Sequence, residues 1–244
     1  MQFISEKRFD DGVVEREFTL GEITGILWTP ASVSAPVPLI LLGPPPLGLR
    51  KAYPRLAGRA RHTVAEGYAA ATIELPGNGD RPRIPVVDQA VADLHRALAA
   101  GEPVTDDIVD RLVLPLLDPA VAEWRATLDA LLELPEIGGP VGYSGGVISV
   151  GTRLAVVEPR ISAAVLFAGS YVPRVIFEEA RQVTIPLHVL LQWDDEGNDR
   201  QMALDLFDAF GSKEKALNAN MGGHTGVPPW AGEAGNQFFA RHLK

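Results

Sequence analysis

Cysteine is absent from this chain, and that alone removes three kinds of chemistry: a disulfide framework, a thiolate nucleophile and a thiolate zinc site. Basic residues are outnumbered, 22 against 31 acidic ones, for a formal net charge of -9, and they form no run. A surface built to hold nucleic acid or an anionic membrane is therefore not expected. Aromatics are sparse at 7%. No apolar stretch approaches the roughly 20 residues needed to cross a bilayer, and the opening "MQFISEKRFDDG" lacks the basic-then-apolar pattern of a secretory leader. The expectation from these absences is a soluble cytoplasmic protein.

What is present is globular material. Apolar residues make up 46% of the 244 positions, enough for a sizeable core. "VVEREFTL" and "ITGILW", parted by Gly21, read as an antiparallel hairpin. "VPLILLG" (Val37 to Gly43) is a continuous apolar run, as in a strand covered on both faces. Strand-like and helix-like stretches then alternate: a helix through "YPRLAGRARHTVAEG", the strand "YAAATIEL", and later "PVGYS", "GGVISVGTRLAVVEP", "ISAAVLFAG" and "IPLHVLLQW". Further along come the helix "DRQMALDLFDAFG", a weak strand "KEKALNAN" and a closing helix "AGEAGNQFFARHL". Such alternation predicts an α/β fold with a mostly parallel sheet and helices on both faces. In the first helix, Arg55 and Arg59 read as surface residues.

Between about Ile84 and Leu117 the alternation breaks. Val87, Val91, Leu94 and Leu98 mark one amphipathic helix; Ile108, Leu112 and Val113 mark a second, opened by Thr105 and stopped at Pro115. These read as a helical, cap-like insertion (84–117) in an otherwise single domain spanning 1–244. A separate helix is expected to start at Asp118-Pro119.

The chemistry concentrates in three places. Gly142-Tyr143-Ser144-Gly145-Gly146 lies between a predicted strand and a predicted helix, a context that lifts a serine hydroxyl to the carboxyl edge of a sheet at the positive end of a helix. Of the five histidines, His62, His95, His188 and His242 fall inside predicted elements. His224 alone lies in a loop, "MGGHTG", beyond the last strand. In "LLQWDDEGNDR", Asp194 and Asp195 follow a strand directly, with Glu196 and Asp199 less well placed. A serine nucleophile needs a base and the base an orienting acid, and the chain order is Ser144, then Asp194 or Asp195, then His224.

That order, with "PLILLG", "ELPGNGDR", "GYSGG", "LAVVEPRISAAVLFAG" and "GGHTGVP", resembles the α/β-hydrolase superfamily, most closely its dienelactone-hydrolase-like and small esterase members. The resemblance implies a hydrolase of small-molecule esters, with thioesters and lactones as further substrates, working through an acyl-enzyme without a metal or organic cofactor. Ser144 would be the nucleophile, His224 the base and Asp195 the favoured acid, Asp194 staying open. It also implies an oxyanion hole with one donor from Gly145 and a second from the loop after "VPLILLG".

In that loop stands Gly43-Pro44-Pro45-Pro46, and proline has no N–H to donate. The expected repair is a shift of one residue that turns the Leu47 N–H inward, with Arg50 or Tyr143 as other donors. Failing those, the chain would be a catalytically weak scaffold binding a small ligand, or would run lyase, transferase or cyclase chemistry. Pro45, Pro46, Tyr143 and Trp193 are the expected pocket walls, suited to a small hydrophobic ester.

Overall fold

The computed structural model describes every residue except Ser170 and Thr225, the latter inside the "GGHTGVP" stretch. Nine strands form one sheet in the order β1-β2-β3-β5-β4-β6-β7-β8-β9. β1 (Gln2–Arg8), β2 (Val13–Leu20) and β3 (Ile23–Pro30) run antiparallel to their neighbours, and β3 lies antiparallel on β5 (Ala69–Ile73). From β5 onward the sheet is parallel, through β4 (Val37–Gly43), β6 (Ile137–Gly145), β7 (Ile161–Phe167), β8 (Leu187–Gln192) and β9 (Lys215–Asn220). The hairpin at Gly21 is present, with Leu20 opposite Ile23. β1 is an addition to the expected strands; its mostly polar, exposed residues carry little strand signal.

The apolar run of β4 is explained by what covers it. Leu39 and Leu41 face one core layer, Ile40 and Leu42 the other, because successive strand residues point to opposite faces. The first layer is closed by α3 (Asp106–Leu132), α4 (Ile148–Val157), α5 (Arg174–Ala180) and α6 (Arg200–Ala209). The second is closed by α1 (Leu49–Ala65) and α7 (Pro229–Leu243). A further helix, α2 (Pro85–Ala100), packs on α3 rather than on the sheet. Among the described residues no helix is long and apolar enough to cross a membrane.

One expected boundary is overturned. Pro115 does not stop a helix and Asp118 does not cap a new one: α3 runs unbroken through Pro115 and Pro119. Thr105 caps its start, its hydroxyl accepting from the Ile108 N–H at 3.4 Å. Each interior proline costs roughly 3 kcal/mol. Against that stands a buried stripe at helical spacing, Val109, Val113, Leu116, Leu117, Ala120, Val121, Trp124, Leu128 and Leu131. At about 1.5–3 kcal/mol for each large apolar side chain buried, the stripe outweighs both prolines.

The carboxyl ends of β4, β6, β7, β8 and β9 lie along one edge because those strands share a direction. From β4 the chain crosses to β5 on one side and later returns to β6 on the other. The loops after β4 and β6 thus part above the sheet and leave a crevice, the usual place for a ligand in such sheets.

The core beneath that crevice is set by Trp124, which is fully buried and meets Tyr143 of β6 edge-on at 6.1 Å between ring centroids. Trp124→Ala is expected to lower the unfolding free energy by about 3–5 kcal/mol. Leu98→Ala, at a 52% exposed position of α2, should change it by less than about 0.5 kcal/mol. Urea unfolding of both variants checks the contrast.

Candidate active site

Ser144 sits at the end of β6, where Gly145 (φ +74°) and Gly146 (φ +71°) turn the chain into α4. Two separate constraints require glycine there. A positive φ strains any side chain, and a Cβ on Gly146 would stand 2.7 Å from the Gly43 Cα. The turn therefore presses directly on the end of β4.

Across the edge, Asp195 lies in the loop after β8 and His224 in the loop after β9. Their side chains meet: His224 Nδ1 is 2.7 Å from Asp195 Oδ2. The other carboxylate oxygen, Oδ1, accepts the Gly197 N–H at 3.0 Å, and the Asp195 side chain is only 2% exposed. Asp194 points elsewhere, accepting from the Gly222 and Gly223 N–H groups at 2.8 and 3.0 Å. Those backbone donors, Gly223 first and then Gly222, hold its carboxyl below the usual range. The Gln192 side chain completes the clamp by donating to the Gly223 carbonyl at 2.9 Å. Two neighbouring acids thus have different tasks: Asp194 grips the backbone that carries His224, and Asp195 touches the imidazole itself. The ring also packs edge-on against Phe167 at 5.6 Å.

Ser144 and His224 open into one cavity of about 860 Å³. Pro45 and Pro46 line it, as do Ile84, Val87 and Val91 at and beyond the start of α2, and Leu112, Val113 and Leu116 from α3. Two expected wall residues lie elsewhere. Tyr143 points into the core beneath the sheet edge, fully buried against Trp124, and burial pushes its phenol well above the ordinary value. Trp193 stands over a separate shallow depression, stacked under the Arg200 guanidinium at 4.2 Å.

The Leu47 N–H is also not where the one-residue shift would put it. It donates back to the Pro45 carbonyl at 2.8 Å, closing a tight turn, and the Leu47 side chain is exposed. Gly48 follows at φ +82°. Arg50 is exposed and does not line the cavity. No backbone donor from 44–47 is therefore free for the crevice: three of these residues are proline and the fourth is committed.

The residue that sequence reasoning placed on the surface is the one that reaches the serine. Arg59, on α1, donates from Nη2 to Ser144 Oγ at 2.9 Å and to the Ser144 carbonyl at 3.0 Å. A Cβ on Gly145 would stand 3.0 Å from both Nη atoms, so the guanidinium lies directly over the glycine turn after Ser144. Among the described residues no hydrogen bond joins His224 to Ser144, and none pairs Arg59 with a carboxylate. Burial, with the like charge of Arg55 nearby, pulls Arg59 down to about 10. Arg55, Arg59 and His62 all line the cavity. Their spacing of four and three residues, on the helix directly after the proline loop, was the available signal.

Glu74, from "ELPGNGDR", fixes the rim. It is buried beyond the end of β5 and accepts the Leu49 N–H at 2.9 Å, holding the first turn of α1. Desolvation raises its pKa, opposed by the backbone bonds from Leu49 and Leu75 and by Arg81. A carboxyl raised on folding contributes stability that is full below its unfolded value and is lost as pH rises through its folded value. Glu74→Gln keeps an acceptor for Leu49 and removes the titration. Its stability relative to wild type should therefore rise as the pH is raised above the ordinary glutamate range. Denaturant unfolding at several pH values measures the gap, and a constant or shrinking gap would contradict the assignment.

No protein-family model matches the chain, and no curated protein matches it significantly. Solved structures do. A cold-adapted esterase from an Arctic intertidal metagenomic library, in its polyethylene-glycol-bound form, superposes with a TM-score of 0.79 at 27% identity, covering 100% of both chains. An acetyl xylan esterase from Paenibacillus sp. R4 gives a TM-score of 0.68 at 13% identity, over 99% of this chain and 88% of the other. A dienelactone hydrolase-like promiscuous phosphotriesterase from metagenomic libraries gives 0.64 at 18% identity, over 96% and 100%.

Proposed function

We propose that this chain, an α/β-hydrolase in fold, is a carboxylic-ester hydrolase in which Ser144 is the nucleophile, His224 the base and Asp195 the acid that orients it. The observation carrying the reading is the 2.7 Å contact between His224 and the buried Asp195, made at the mouth of the cavity that holds Ser144. A contact from Asp195 to Nδ1 leaves Nε2 as the nitrogen that takes a proton. The likeness to the cold-adapted esterase at 27% identity supports ester cleavage as the reaction.

In this mechanism Ser144 attacks the ester carbonyl as its proton passes to His224, and Asp195 stabilises the imidazolium. His224 then protonates the leaving alkoxide, and water repeats the sequence to release the acid. His224 moves onto Ser144 as the substrate enters, since catalytic hydrogen bonds commonly tighten only in the complex. The apolar walls from α2 and the first half of α3, acting as a cap, favour a small hydrophobic acyl or alkyl group over a highly charged one.

One observation favours a second reading, a ligand-binding scaffold with little turnover: the Leu47 N–H is spent on Pro45. Fluorophosphonate labelling with intact-mass detection separates the two. Wild type should gain one adduct and Ser144→Ala none; equal absence in both removes the nucleophile. On nitrophenyl esters, Asp195→Asn should cut kcat by about 10⁴-fold. Asp194→Asn, which loosens only the His224 loop, should cost far less. Equal losses in the two would mean that Asp195 has no special role.

A further inference from the structure

One cation that lines the cavity, Arg59, pairs with no carboxylate among the described residues. Arg59 is held over Ser144 by two acceptors, the nucleophile's own hydroxyl and carbonyl, and by no carboxylate among the described residues. The same edge of the site lacks the backbone donors that its chemistry needs. Pro44, Pro45 and Pro46 have no N–H, and Leu47 uses its own at 2.8 Å on Pro45.

We propose that the Arg59 guanidinium is the second oxyanion donor, replacing with a charged side chain the backbone N–H groups that the 44–47 segment does not offer. The inference rests on the serine-hydrolase reading and adds to it a residue that touches the reacting atoms. In the free protein Nη2 contacts Ser144 Oγ. When Oγ bonds to the carbonyl carbon, its proton goes to His224 and the carbonyl π pair moves onto oxygen. The new oxyanion and Oγ are then attached to the same carbon, so a donor touching one is within reach of the other. Oγ, now an ether-like oxygen, has become a poorer acceptor, while the oxyanion carries a full charge. The guanidinium thus gains more in the transition state than in the ground state, which is the condition for accelerating the step. Collapse returns the electron pair to the carbonyl, breaks the bond to the leaving oxygen and sends the His224 proton to it.

Two features of the site make such a donor effective. The guanidinium is preorganised over the turn, with Gly145 leaving it room, and preorganised donors at a developing charge are among the largest contributions to catalysis. The surrounding walls are largely apolar, from Leu42, Leu56, Val147 and Phe167, which strengthens a charge-to-charge contact beside them.

The test compares oxo- and thionoesters of one neutral substrate, because sulfur is a poor hydrogen-bond acceptor. Arg59→Met should lower kcat on the oxoester by about 10²–10³-fold, with KM little changed, and should lower it far less on the thionoester. Arg59→Lys, which keeps the charge, should recover part of the oxoester rate. Circular dichroism and thermal unfolding confirm that each variant is folded; if Arg59→Met is not, Arg59→Lys carries the same oxo-to-thiono comparison, with the expected loss confined to the oxoester. Equal losses on both esters, an unchanged kcat, or a defect confined to KM for esters that bear a carboxylate would each overturn the proposal. Ser144→Ala run alongside keeps the two ideas apart. Full turnover in that variant would sink the serine mechanism itself, whereas a dead Ser144→Ala beside an active Arg59→Met would sink only the role given to Arg59.

Discussion

The contact between Gly43 and Gly146 is the constraint on which the carboxyl edge depends. These two glycines bring the end of β4 and the turn after Ser144 within the thickness of a bare backbone, and a Cβ on either would strike the other segment. Because the turn cannot rise, Ser144 is held at the end of β6, close enough to α1 for a side chain on that helix to reach it. The crevice above is then bounded by whatever follows β4, which here is a proline run. One close approach in the backbone thus sets the position of the serine, the reach required of Arg59 and the shape of the wall opposite.

The site's electrostatics run against those of the molecule. A chain with net charge -9 lines the cavity at Ser144 with Arg55, Arg59, His62, Arg83, His95 and His224 and only one acid, Asp88, which is paired to Arg83. The acids near the site sit outside that cavity lining: Asp195 behind His224, Asp194 under the glycine loop, Glu74 at the start of α1. Carboxylates are thus used to position, and the basic side chains face the cavity itself. An unpaired, partly desolvated guanidinium is costly to maintain, and its depressed pKa records that cost. Such a group is unlike the surface ion pairs elsewhere in the molecule, for example Arg181 with Glu178.

What the sequence by itself determined is the local and the periodic. The buried run of β4, the alternation of strands and helices, the glycine turn around Ser144 and the loop placement of Asp195 and His224 all follow from short-range pattern. They do so because strand and helix periods, proline's missing N–H and glycine's freedom are properties of a few neighbouring residues. Tertiary structure alone decided the rest. α3 passes through two prolines because a buried stripe running its whole length outweighs them, and no local rule contains that sum. Asp195 rather than Asp194 faces the imidazole because the backbone of a distant glycine loop claims the other acid. Tyr143 and Trp193 left the pocket because each found a better partner, a buried tryptophan and an arginine face. Arg59 left the surface because α1 packs with that side over the crevice. The pairings of Asp194, Asp195 and Arg59 in particular are competitions between groups far apart in the chain, settled only when the sheet brings their segments to one edge.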